Sequence, residues 1–298
     1  MTPIVIVAPG FIENSGGAIA LHNLCHRLNS RGMPATLWHT RRPLHYAADP
    51  LNNITNVLSS YIYSIRRRTF WRHKFNQKLD WITPEHQGRV PENSWVVYPD
   101  IIMDNPLCAK RVVRWHLYHP KTHLINNAGI SILKEYYYSQ NFAPKATACR
   151  ILSCTWLRND LYNLENCQPR VNSCHMWRKR DADLAPIHSS DSICLDGMSQ
   201  VQIASIFKKS HTFVSYDLHT GYSMFAALCG CTSIVARKSG LSETDWRPDV
   251  STRYGIAYGF ESKQWAIETF PKLKESLEGL QERENSQLDD FIRDLASS

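Results

Sequence analysis

The chain has 298 residues, 43% of them hydrophobic and 20% charged, with 34 Lys and Arg against 27 Asp and Glu for a formal charge of +7. These values exclude a disordered chain and suit two domains of ordinary size better than one. The positive excess fits a phosphate-bearing ligand, an anionic membrane surface or a nucleic acid, and does not choose among them.

Nine cysteines are scattered without a CxxC pair. An odd, dispersed set argues against a disulfide framework or a zinc site and points to small core residues in a reduced, cytosolic protein. The N-terminal MTPIVIVAPG lacks a basic leader, and no stretch reaches the roughly 18 apolar residues of a membrane span. Any membrane contact is therefore expected to be peripheral.

In chain order, Ile4–Gly10 (IVIVAPG) is a continuous β-branched run ending in Pro-Gly, the pattern of a buried parallel strand. A polar loop, FIENSGG, follows. Ile19, Leu21, Leu24, Cys25 and Leu28 then recur at helical spacing, with Gly32 as the stop. Ala35–Thr40 is a second strand. Strand, glycine loop, helix and strand make a Rossmann-like opening unit, but GxGxxG is absent and no dinucleotide cofactor is expected. From about 49 to 91 the pattern is irregular and includes YIYSIRRRTFWRHKF. Trp95–Ile101 is a strand directed at an acid, Asp100. Val112–Pro120 mixes apolar residues with His116 and His119, and 141–150 reads as a linker.

A second series follows. Strands are expected at Arg150–Thr155, at Asn172–Arg180 (ending on Arg178, Lys179 and Arg180), in SICLDG, at His211–Asp217 and at Thr232–Arg237. Helices are expected at Ser199–Ser210 and Gly221–Gly230, and from about 263 to 280, before a charged amphipathic tail. The expected architecture is α/β with two Rossmann-like domains, 1–145 and 146–262. The final segment, 263–298, is helical.

Chemistry is expected at the strand ends. Ligands in open parallel sheets lie beyond the carboxyl ends of the strands, where Ser215, Tyr216 and Asp217 stand. The next helix starts near Thr220–Gly221 and turns its free N–H groups to the same place. The plain alternative is a solvated turn with a Thr cap. Gly16 and Gly17 can let a diphosphate approach the backbone closely. Glu13 can deprotonate an acceptor hydroxyl, with Asp100, Asp104 and His116 as rivals. Arg66, Arg67 and Arg68, with Phe70, Trp71, Arg72 and Lys74, can meet anionic lipid or a lipid-linked acceptor, follow nucleic-acid phosphates, or simply sit in water.

The stretch SYDLHTGYSMFAALCGC (Ser215–Cys231) resembles the donor-site helix region of GT-B glycosyltransferases, particularly those of bacterial-type surface-polysaccharide and lipopolysaccharide synthesis. SGG with LCHRLNSRG, CHMWRKR and STRYGIAYG are similar to other segments of that group. The resemblance implies two Rossmann-like domains facing across a cleft. It also implies transfer of a sugar from a nucleoside-diphosphate donor to an oligosaccharide or glycolipid hydroxyl. Arg178 and Lys179 would hold the diphosphate in place of a metal, and Ser215, Tyr216, Asp217 and Thr220 would hold sugar or ribose. No metal or redox cofactor is implied, and the C-terminal helices would return to the N-terminal domain. Retaining relatives carry a Glu-x7-Glu pair; Asp217 stands at the first position and Phe225 at the second. Two other classes stay open: a nucleic-acid-directed transferase or nucleic-acid binder, and a catalytically inactive sugar-binding or scaffold protein.

Overall fold

The computed structural model describes residues 1–40, 75–102, 105–117, 134–140, 149–178, 180 and 184–297. The chain divides into two compact units. One comprises Met1–Trp156 with Arg283–Ser298, and the other is Leu157–Glu282. Each is a Rossmann-like α/β unit built on a parallel sheet.

In the first unit, β1 (Ile4–Ala8), β2 (Ala35–His39), β3 (Trp95–Pro99), β4 (Arg111–His116), β5 (Lys134–Ser139) and β6 (Arg150–Ile151) form one sheet in the order β2-β1-β3-β4-β5-β6. All pairings are parallel. β1 and β3 are wholly buried, which is why they read as unbroken apolar runs. Alternation then sorts their side chains. Ile4, Ile6 and Ala8 join one core with α1 (Gly16–Ser30), while Val5 and Val7 join another with Trp38, Val96 and Tyr98.

In the second unit, β7 (Asn172–Met176), β8 (Ile193–Cys194), β9 (Ser210–Ser215), β10 (Thr232–Val235) and β11 (Ile256–Tyr258) pair in parallel in the order β11-β10-β9-β7-β8. Its helices are α2 (Gln200–Phe207), α3 (Tyr222–Leu228), the short α4 (Glu243–Trp246) and α5 (Lys263–Glu278). Ser199 opens α2 with a reciprocal capping box to Gln202. Read from its first strand, this sheet runs second-first-third-fourth-fifth, the same doubly wound order as the first five strands of the other unit.

Two expectations about boundaries need correction. The strand expected at Arg150–Thr155 as the start of the second domain is only Arg150–Ile151, and it pairs with Tyr138–Ser139 at the edge of the first sheet. The units therefore meet at Trp156/Leu157 instead of 145/146. The segment 263–298 is also divided. α5 stays with the second unit, where Ala266 packs on Ile234 and Ala257.

The last helix, α6 (Leu280–Ala296), delivers Leu288, Phe291 and Leu295 into the first unit's core. Its Glu284 forms a 2.7 Å ion pair with Arg27 of α1, with side chains only 2% and 9% exposed, and also accepts the Thr155 amide at 2.9 Å. Trp95 Nε1 donates to the Leu295 carbonyl at 3.2 Å. β5, missed in the sequence, begins with Lys-Glu and continues with three tyrosines, so it carries no apolar run to reveal it. Among the described residues no helix is long and apolar enough to cross a membrane.

Candidate functional site

A doubly wound sheet opens a crevice where its strand order reverses, beyond the carboxyl ends of the strands. In the second unit that point lies between β7 and β9. β7 runs out into Trp177 and Arg178, and β9 into Tyr216 and Asp217. Arg178, Ser215, Tyr216, Asp217 and Thr220 are therefore gathered at one edge, each with hydrogen bonds or ring contacts of its own.

Arg178 is half-buried, and its guanidinium carbon lies 5.7 Å from the Tyr222 ring centroid at the start of α3. Its backbone is held by Asp196, whose two oxygens accept the amides of Trp177 at 3.0 Å and Arg178 at 3.3 Å. Asp196 was not foreseen. The signal was present in SICLDG, where an acid precedes Gly197, a residue at φ 81 in a turn leaving β8.

Ser215, Tyr216, Asp217 and Thr220, expected to face a sugar, are buried. Ser215 Oγ donates to the Asp217 carbonyl at 2.9 Å and accepts the Asp217 amide at 3.2 Å. Asp217, 3% exposed, accepts the His219 amide on Oδ1 at 3.0 Å. Its charge also opposes the downward pull of burial on the Arg247 guanidinium. Thr220 Oγ1 accepts the Tyr222 amide at 3.3 Å. These side chains brace the turn from β9 into α3, where a backbone without such partners would leave its amides unsatisfied. What the turn offers to solvent is Gly221, with His219 half-buried beside it.

Tyr216 is fully enclosed and stacks on Trp177 at 4.1 Å. Its hydroxyl lies 2.7 Å from both the Ile187 amide and His188 Nδ1. His188 in turn stacks on His175, with centroids 3.7 Å apart and planes 10° from parallel. Burial lowers the pKa of both imidazoles; the His188 charge lowers His175 further, while Asp196 opposes that shift. Phe225, at the second acid position of the resemblance, stacks on Tyr162 at 4.3 Å and does packing work.

In the first unit the order reverses between β1 and β3. Glu13 stands in the β1–α1 loop and Asp100 directly after β3, both half-buried, and His116 closes β4. Burial lowers the His116 pKa, Asp100 opposes the shift and Arg114 adds to it. Gly16 and Gly17 are the first two residues of α1, and Ser15 Oγ accepts the Ala18 amide at 3.4 Å as its cap. Among the described residues, a Cβ at Gly16 would meet nothing within 4 Å, and one at Gly17 only Leu117 at 3.7 Å. Among the described residues, packing and backbone angle therefore do not demand glycine at either position.

Lys179, Asp104, His119 and the basic-aromatic segment, including Arg66, Arg67 and Arg68, lie outside the described residues. So do Asp181 and Asp183, an Asp-Ala-Asp run directly after the cations whose oxygens are of the type that binds hard divalent ions. Among the described residues no group of three His, Cys, Asp or Glu is placed to hold a metal. No protein-family model, curated protein or solved structure matches the chain. The class defined by fold and site is thus a two-unit, doubly wound α/β protein with polar residues gathered at both reversal points.

Proposed function

We propose that the chain is a nucleotide-sugar-dependent glycosyltransferase of the GT-B type, acting on a glycan hydroxyl. The observation that carries the reading is the shared strand order of the two sheets, with the sequence-derived residues standing at the reversal point of each. On this reading the second unit holds the nucleoside diphosphate. Arg178, oriented by Asp196, and Lys179 neutralise the leaving diphosphate as the glycosidic bond breaks. The Gly221 end of the β9–α3 turn adds backbone donors. Ser215, Asp217 and Thr220 keep that turn in shape instead of touching the sugar. In the first unit, Gly16 and Gly17 offer amides to phosphate, and Glu13 takes the proton from the acceptor hydroxyl.

Titration calorimetry with nucleoside diphosphates and their sugars, with and without EDTA, tests the proposal. Binding that survives EDTA is expected. Binding lost in EDTA would transfer the diphosphate to a metal, with Asp181 and Asp183 the first residues to examine. No binding of any nucleotide would remove the donor reading. Phe225 packed on Tyr162 favours a second reading, a sugar-nucleotide binder without turnover. Donor hydrolysis in the absence of acceptor would exclude it.

A further inference from the structure

The Tyr216 hydroxyl has one proton to give and two lone pairs to offer. Three groups converge on it: the Ile187 amide at 2.7 Å, the His188 amide at 3.2 Å and His188 Nδ1 at 2.7 Å. The two amides can only donate, so they take both lone pairs. The hydroxyl proton is then left for Nδ1, which must accept it. That bookkeeping makes His188 neutral, with its ring proton on Nε2.

The side chains around this arrangement leave little freedom. His175 of β7 stacks against His188 at 3.7 Å and is itself tied through Nδ1 to Ser192 at 3.0 Å. Trp177 meets His188 edge-on at 5.0 Å and stacks on Tyr216. Leu184 packs with Val214, Tyr216 and Ala236. Among the described residues, charged groups nearby include Asp196 after β8, on the Trp177 and Arg178 amides, Arg180 at 4.6 Å from the Trp177 ring, and Asp191, bonded to Ser189 within the same segment.

We infer that Tyr216 and His188 form a proton-sensitive clasp that holds the 184–192 segment against the Trp177–Arg178 turn and releases it on acidification. Protonated His188 is a donor at both nitrogens. Three donors would then face two lone pairs, and the hydroxyl proton would lose its acceptor. The positive ring would also sit face to face with His175. Burial already holds the His188 pKa below its ordinary 6.5 in the clasped state. A proton therefore binds the released segment more readily than the clasped one. The clasp is at full strength above 6.5 and weakens as the pH falls below it.

The unliganded wild-type protein tests this, whatever the ligand of the neighbouring site. Nitrogen-detected NMR of labelled histidine gives the tautomer, and amide exchange gives protection at Ile187 and His188. The neutral Nε2–H form is expected at about pH 7.5, with protection falling about tenfold by about pH 5.5, after correction for intrinsic exchange. His188→Asn places a non-titrating acceptor where Nδ1 stood, and should keep protection level across that range. Tyr216→Phe should lower protection at the higher pH to the acid level. A proton on Nδ1 at about pH 7.5, or equal protection in the wild type at both ends, overturns the clasp. So does an unchanged acid loss in His188→Asn. The wild-type measurements decide the matter even if a variant does not fold.

Discussion

Arg178 combines a half-buried side chain with a backbone fixed by the Asp196 carboxylate, so its guanidinium has a defined place at the start of α3. A charge-assisted contact to phosphate contributes about 1.5–3 kcal/mol, so Arg178→Ala should weaken nucleoside-diphosphate binding by about tenfold or more. Its melting temperature should move little; unchanged affinity by calorimetry would take Arg178 out of the site. Asp217 makes the opposite prediction. Asp217→Asn keeps an oxygen for the His219 amide and should retain stability, whereas Asp217→Ala orphans that amide at a cost of about 1–3 kcal/mol. Denaturant unfolding distinguishes the two. Loss of turnover in a stably folded Asp217→Asn would return the acid to the chemistry. Gly230 is held by shape: its φ is 81, and a Cβ there would collide with the Arg170 guanidinium. Arg170 bonds the carbonyls of Phe207, Ser210 and Cys229, so it cannot withdraw without breaking them. Gly230→Ala should therefore lose about 2 kcal/mol or more, read as a lowered denaturation midpoint.

At the scale of elements, the central strands were legible because both faces are buried. IVIVA and WVVYP need no alternation, and a continuous run is what remains. α2 was legible as the helix expected at Ser199–Ser210, and α1 through its apolar spacing. The edge of the first sheet was not. β5 is charged and aromatic, and β6 is two exposed residues whose strand character comes from Tyr138 and Ser139 beside them. α6 is read by its apolar triplet, but its destination depends on residues far away. Its buried Glu284 offers a direct test. Glu284→Ala leaves Arg27 charged and enclosed without its partner, and should cost about 3–5 kcal/mol. Chemical denaturation followed by fluorescence of Trp95, which reaches α6, would report it; a loss below about 1 kcal/mol would show that water or Asn285 compensates.

At the scale of the whole molecule, the first unit is discontinuous and the second is not. A chain ended at Glu282 loses Leu288, Phe291 and Leu295 from the first core, each contributing about 1.5–3 kcal/mol of burial. That loss is comparable to the total stability of many domains. The first unit should then lose cooperative unfolding while Leu157–Glu282 retains it, as two-probe thermal melts would show. A shortened chain with both transitions intact would make α6 an accessory.

The sequence by itself determined the class of fold, the two series of strands and helices, and the places where polar residues leave the strands. These are local facts, written in periodicity, caps and glycines. Only the tertiary structure decided what each polar side chain does. Ser215, Tyr216, Asp217 and Thr220 look alike in the sequence to residues that bind a ligand. In the structure the Tyr216 hydroxyl meets the 187–188 amides, and Ser215, Asp217 and Thr220 each bond to the backbone of their own turn. Asp196, scarcely visible in SICLDG, is brought by β8 against the end of β7 and fixes Arg178. The reason is physical: a polar group's role is set by whichever partner reaches it first, and pairing of strands distant in sequence supplies that partner.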